Sequence, residues 1–174
     1  MIKHQKYLRI QQINRRKIIL QEDFHDKLSY LSQDVVHFAE LTINQVLEFH
    51  GHFFANFSNE YATWLLKYFE LEGKTTLKKL STGQKKKVQI VAALASQTEL
   101  LLIDEITAVL DPEARYRLFK LLLEYREKRS KTIVVATNIV EDLKDRVDRF
   151  LFINNHSITV EPSTVLNHLF HYDR

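Results

Sequence analysis

Two short apolar runs, Leu100–Ile103 and Thr132–Ala136, with a helical pattern between them, constrain this chain's architecture more than any other feature. Runs of four or five such residues bounded by polar ones read as buried strands. The segment between them opens with Asp111-Pro112, a helix N-cap followed by proline at the first helical position. It carries Leu118, Leu121, Leu122 and Tyr125 at helical spacing. Strand, helix and strand in that order imply parallel pairing in an α/β core. Ile139–Val147 reads as a further helix, and Phe150–Ile153 with Ser157–Val160 as a closing hairpin.

Upstream the pattern differs. Tyr7–Ile13 and Lys17–Leu20 read as strands joined by a turn at Asn14-Arg15-Arg16, and Lys27–Ser32 as a third strand. Helices follow. Thr42-x-x-Gln45 has capping-box form ahead of Ile43, Val46, Leu47, Phe49, His50 and Phe53. Tyr61, Trp64, Leu65, Tyr68 and Phe69 make one apolar face of a second helix, with Gly73 as its stop. A third helix spans Thr82–Ala95. The expected organisation is one domain: residues 1–41 and 98–174 form the α/β core, and 42–97 an inserted helical lobe.

Composition excludes several functions. The chain holds only three glycines, Gly51, Gly73 and Gly83, and no two stand five apart. A phosphate-binding Walker A loop, G-x-x-x-x-G-K-[ST], and a dinucleotide fingerprint both need closer glycines. Glu72-Gly73-Lys74-Thr75-Thr76 looks like the end of such a loop, but Tyr68 holds the first-glycine position and the preceding residues are helical. It reads as a helix stop and loop. Absence of cysteine removes disulfides, thiolate zinc sites and a cysteine nucleophile. No apolar run approaches the roughly 18 residues of a membrane span, and Met1–Lys6 lacks the apolar stretch of a signal peptide. The net charge of +3 is mild, and Lys85-Lys86-Lys87 reads as a solvated helix face, so no direct nucleic-acid partner is expected. His50-Gly51-His52 matches no common zinc spacing, and no triad arrangement of serine or threonine stands out.

Four places could carry chemistry. Asp104-Glu105 ends a strand, where open α/β sheets bind ligands; one carboxylate there can hold Mg²⁺ and the next can activate water. Alone, the pair could equally be two solvated acids. Ser81-x-x-Gln84 is a capping box, and the same helix start, with Gly83 and free backbone N–H groups, can bind an anion. Asp111 reads alone as a helix cap. Gln33 follows a strand with no preference visible in its surroundings.

Order and spacing tie these places together. Leu80–Leu94 (LSTGQKKKVQIVAAL) resembles the signature motif and helix of the ATP-binding cassette (ABC) family. Leu100–Asp111 (LLLIDEITAVLD) is similar to its Walker B strand, catalytic glutamate and D-loop. Leu28–Gln33 (LSYLSQ) is similar to the Q-loop, and Glu40–Phe49 (ELTINQVLEF) to the start of the helical subdomain. The resemblance implies a partial P-loop NTPase (RecA-like) core with a parallel sheet and an inserted α-helical subdomain.

It also implies a mechanism, in which two domains pair head to tail and each ATP lies between one Walker A and the other's signature. By matched position, Ser81, Gly83 and Gln84 contact the partner's nucleotide, and Asp104 supports Mg²⁺. Glu105 activates the hydrolytic water, Gln33 senses the γ-phosphate and Mg²⁺, and Asp111 lies at the dimer interface. A groove near the Q-loop receives a helix of an integral membrane subunit, which places the chain peripherally on the cytoplasmic face of the membrane. Three features depart from the family pattern. Asn138 stands at the switch-histidine position, where an amide binds phosphate but carries no charge. Ile106 replaces the usual proline, and no Walker A is present. The chain resembles a cassette beginning just after the P-loop helix, so the isolated protein is expected neither to bind ATP tightly nor to turn it over.

The leading expectation is an ABC transporter ATP-binding subunit. The alternatives are a non-catalytic partner supplying only the signature helix, and a non-transport ABC ATPase of translation or DNA repair.

Overall fold

A computed structural model describes residues 27–32, 38–105, 110–129, 131–137, 146–154 and 157–162. Strand β1 (Leu28–Leu31) is followed by helices α1 (Ile43–Gly51), α2 (Asn59–Tyr68) and α3 (Thr82–Ala95), then by β2 (Leu100–Asp104). Helix α4 (Pro112–Arg129), β3 (Thr132–Ala136) and the pair β4 (Arg149–Asn154) and β5 (Ser157–Pro162) complete the order. The strands expected at Tyr7–Ile13 and Lys17–Leu20 lie outside the described residues. Of the Ile139–Val147 helix only residues 146 and 147 are described, and both are non-helical.

β1, β2 and β3 form a parallel sheet in that order, with Leu31 beside Ile103 and Asp104 beside Ala136. β4 and β5 pair antiparallel, as the hairpin pattern predicts. Alternation assigns the faces of the parallel sheet. Ser29, Leu31, Leu101 and Ile103 are buried, in one core with Val88 and Ile90 of α3 and Leu118 and Leu122 of α4. On the opposite face Tyr30 and Val134 are exposed and Leu102 is half-buried. The expectation that Thr132–Ala136 is a buried strand is therefore corrected. β3 has a partner on one side only among the described residues, and its Thr132, Val134 and Ala136 face outward.

Both expected capping boxes form. Thr42 Oγ1 accepts from the Gln45 amide, and Gln45 Oε1 accepts from the Thr42 amide at 2.9 Å. The Glu72–Thr76 loop extends this cap. Gly73 and Thr75 carbonyls accept from the Asn44 and Ile43 amides at 2.9 and 3.0 Å, satisfying two first-turn donors of α1. That loop is a helix-capping strap, not a phosphate cradle. Gly73 does not stop α2, which ends five residues earlier at Tyr68 and is followed by Glu70 in the left-handed region at φ 57°. The constraint on Gly73 comes from elsewhere: a Cβ there would displace the exposed Asn44 side chain.

α3 is the hub of the helical block. Val88 and every residue from Ile90 to Ala95 are buried against α1, α2 and β1. Two expected apolar faces are narrower than the sequence pattern suggests. On α1, Ile43 and Leu47 are buried while Phe49 and Phe53 are 48% and 61% exposed. On α2, Ala62, Leu65 and Leu66 are buried, and Trp64 is half-exposed, stacked between Tyr61 and Tyr68.

Candidate functional site

The parallel register brings three chain ends to one edge of the sheet: the end of β1 leading to Ser32, the Asp104-Glu105 pair, and Ala136-Thr137. Asp104 closes the middle strand, and its Oδ2 accepts a hydrogen bond from the Tyr30 phenol at 3.2 Å. Glu105 turns sharply away. Its φ of 46° lies in the left-handed region, and its amide donates to the Ala136 carbonyl at 2.9 Å. A side-chain-bearing residue pays about 1–2 kcal/mol for that conformation, and such strain clusters at functional sites. Composition alone gives no sign of this outlier.

Among the described residues no group of three His, Asp or Glu side chains could hold a metal by itself. A lone strand-end carboxylate such as Asp104 suits Mg²⁺, which keeps waters and takes its other ligands from phosphates. The donor set fits a metal that arrives with a nucleotide.

At the start of α3, Ser81 Oγ accepts from the Gln84 amide at 3.2 Å, and Gln84 Oε1 accepts from the Ser81 amide at 2.9 Å. Ser81, Thr82 and Gln84 are exposed and Gly83 half-exposed. First-turn amides of a helix lack intrahelical acceptors, so this surface combines N–H donors, a hydroxyl and the positive helix end. The capping hydrogen bonds leave the other first-turn amides without an intrahelical acceptor.

Asp111 caps α4, its Oδ1 accepting from the Ala114 amide at 2.8 Å. That backbone N–H holds the carboxyl below the usual aspartate range, and the nearby Lys87 charge adds to the effect. Lys87, Asp111, Glu113 and Arg117 share one shallow polar pocket, so α3 and the Asp111 corner are neighbours. Gln33 and Asn138 lie outside the described residues, although the flanking Ser32 and Thr137 are within them.

A more apolar groove opens beside the end of β1. Tyr30, Phe38, Val46, Phe49, His50 and Val88 are among the residues lining it. Phe38, Phe49 and Phe53 form an edge-to-face chain with ring centroids 5.5 and 5.2 Å apart. His50 sits within 3.1 Å of Ser96 Oγ, and burial pushes its pKa below the ordinary histidine value.

The solvated-face expectation for Lys85-Lys86-Lys87 fails at its middle member. Lys86 is 1% exposed, and its ammonium donates to the Ser32 carbonyl at 2.7 Å. The sequence held a signal that went unread: Lys86 lies four residues before Ile90, on the buried stripe of α3.

Comparison with known proteins follows this geometry. The chain is 25% identical over 140 residues to the ABC transporter ATP-binding protein YtrB of Bacillus subtilis, covering 80% of itself and 44% of the relative. It is 35% identical over 97 residues to a methionine import ATP-binding protein, MetN, of Clostridium tetani, covering 55% of itself and 30% of the relative. The chain thus spans less than half the length of the curated relatives it matches. Among solved structures, a dimeric post-hydrolysis ATP-binding cassette bound to ADP and Pi superposes with a TM-score of 0.69 at 26% identity. That match covers 80% of this chain and 64% of the other, and the shared fold is the α/β core with inserted helices. The family model described as ABC transporter matches residues 5–108, and the chain belongs to that family.

Proposed function

We propose that this chain serves as the ATP-binding-cassette subunit of a membrane transporter, coupling ATP binding and hydrolysis at a dimer interface to movement of a membrane partner. The observation that carries the reading is the Asp104-Glu105 pair at the carboxyl edge of the parallel sheet, with Glu105 held at φ 46°. Residues 1–41 and 98–174 form the nucleotide core, and 42–97 the helical subdomain. Asp104 holds Mg²⁺, which when bound neutralises phosphate charge. Glu105 orients and deprotonates water, while Gln33 and Asn138 hydrogen-bond phosphate oxygens. Ser81, Gly83 and Gln84 close over a nucleotide carried by a second cassette in head-to-tail pairing, and Asp111 lies in that interface.

Residues 1–174 contain no Walker A sequence. The reading for these residues by themselves is narrower: they supply Ser81, Gly83 and Gln84 to a composite site whose phosphate cradle lies outside residues 1–174. In a second reading they lend the signature helix and catalyse nothing.

The membrane partner engages the groove beside β1. Phe49 lines it with an exposed ring, and the exposed Phe53 packs edge-to-face on Phe49, so a partner helix would bury apolar surface there. No helix among the described residues is long and apolar enough to cross a membrane. In this reading the groove contact attaches the chain at the cytoplasmic face. Fractionation of cells expressing the tagged chain tests this reading. Recovery with membranes, lost on Phe49→Lys, supports the transporter role; recovery with ribosomes supports the non-transport alternative.

A further inference from the structure

Lys86 is the buried charge for which the proposed nucleotide chemistry has no use. One turn further along α3, Ile90 is fully buried. A methionine would fill the same volume without the cost of desolvating an ammonium. What Lys86 adds is a charged donor, and it spends one hydrogen bond on the Ser32 carbonyl at 2.7 Å. Ser32 follows β1 and immediately precedes Gln33. Lys86 lies two residues after Gln84, within the second turn of the helix that Ser81 caps. Its neighbours Lys85 and Gln89, together with Ser32, line the apolar groove. One side chain thus joins the exit of β1, where Ser32 lines the groove, to the start of α3.

We infer that Lys86 is a positioning residue that fixes the end of β1 to α3, so that a displacement of Ser32 at the groove wall is passed to the Ser81 end of that helix. A helix of 14 residues transmits such a displacement as a rigid rod. The charge-assisted bond is the strong kind that can hold a strand end in register. This inference rests on the subunit reading only for the role of Ser81; the linkage itself is a property of this chain.

The test compares the full 174-residue chain with Lys86→Met, which keeps the stem and removes the donors, and Lys86→Arg, which keeps charge and donors. Amide hydrogen exchange is followed at residues 28–32, 82–87 and 112–129. The expected result is exchange on the order of tenfold faster at 28–32 and 82–87 in the methionine variant, with 112–129 unchanged and most protection regained in the arginine variant. Uniform acceleration that includes 112–129, no change at 28–32, or equal loss in both variants overturns the inference.

A second arm measures ATPase activity after mixing with a Walker A-bearing cassette whose own signature serine is replaced by arginine. There Lys86→Met lowers kcat while leaving KM for ATP in place; an unchanged kcat also overturns the inference. If the wild-type mixture does not turn over, the subunit reading falls, and the exchange experiment alone decides the role of Lys86.

Discussion

The Tyr30 phenol donates to Asp104 Oδ2 at 3.2 Å, tying β1 to the acid that closes β2 on the open face of the sheet. Tyr30 is 52% exposed, so water competes for both groups. Tyr30→Phe should lower stability by no more than about 1 kcal/mol. Leu101→Ala, on the buried face of the same sheet, should cost about 2–5 kcal/mol. Urea unfolding of both variants checks the assignment of faces, and the reverse ranking would refute it.

Ser81 can be tested for capping and anion contact separately. Ser81→Ala removes the acceptor for the Gln84 amide and should cost about 0.5–2 kcal/mol. Ser81→Asp restores a good N-cap and adds negative charge at the positive helix end, so stability should match or exceed wild type. The same aspartate would repel a phosphate, so nucleotide-dependent pairing should be lost. Thermal melts beside pairing assays separate the two roles.

Glu105 supplies a complementary case. At φ 46° a glycine fits without a Cβ penalty. Glu105→Gly should therefore be neutral or stabilising, by up to about 1 kcal/mol, while removing the carboxylate. Glu105→Gln should leave stability unchanged, and it should leave turnover intact in a mixed site to which this chain contributes only its signature. Denaturant titration of the glycine variant decides whether the strain is real.

His50 makes stability depend on pH. Burial lowers its folded pKa below the ordinary 6.5. Between those two values the unfolded chain binds a proton that the folded chain does not. This contribution is complete above pH 6.5 and declines as pH falls through the folded pKa. His50→Gln should flatten that part of the Tm-against-pH curve between pH 7.5 and about 5. Parallel curves for wild type and variant would contradict the burial argument.

Much of the fold was legible because local signals agreed with tertiary ones. The capping boxes at Thr42 and Ser81, the Asp111-Pro112 helix start and the β2 run each carry their cause in adjacent residues. The misreadings share another origin. Val134, Phe49 and Trp64 have apolar side chains in regular elements, but their burial depends on what packs outside those elements. Gly73 resembled a helix stop because its constraint comes from Asn44, distant in sequence. Lys86 was hidden by its charged neighbours, since a lysine triplet reads as solvent-facing until the stripe from Ile90 is traced back. For the site, motif order marked Asp104, Glu105, Ser81 and Asp111, but not the φ of Glu105 or the Tyr30 contact.

The central claim is that this chain contributes the signature half of a composite ATP site. ATPase activity of purified residues 1–174 tests it most directly, measured alone and after mixing with a Walker A-bearing cassette disabled in its own signature. The account predicts no turnover alone, Mg²⁺-dependent turnover in the mixture, and its loss on Ser81→Arg in this chain. Turnover by the isolated chain, or a mixture that stays inactive or ignores Ser81→Arg, would contradict it.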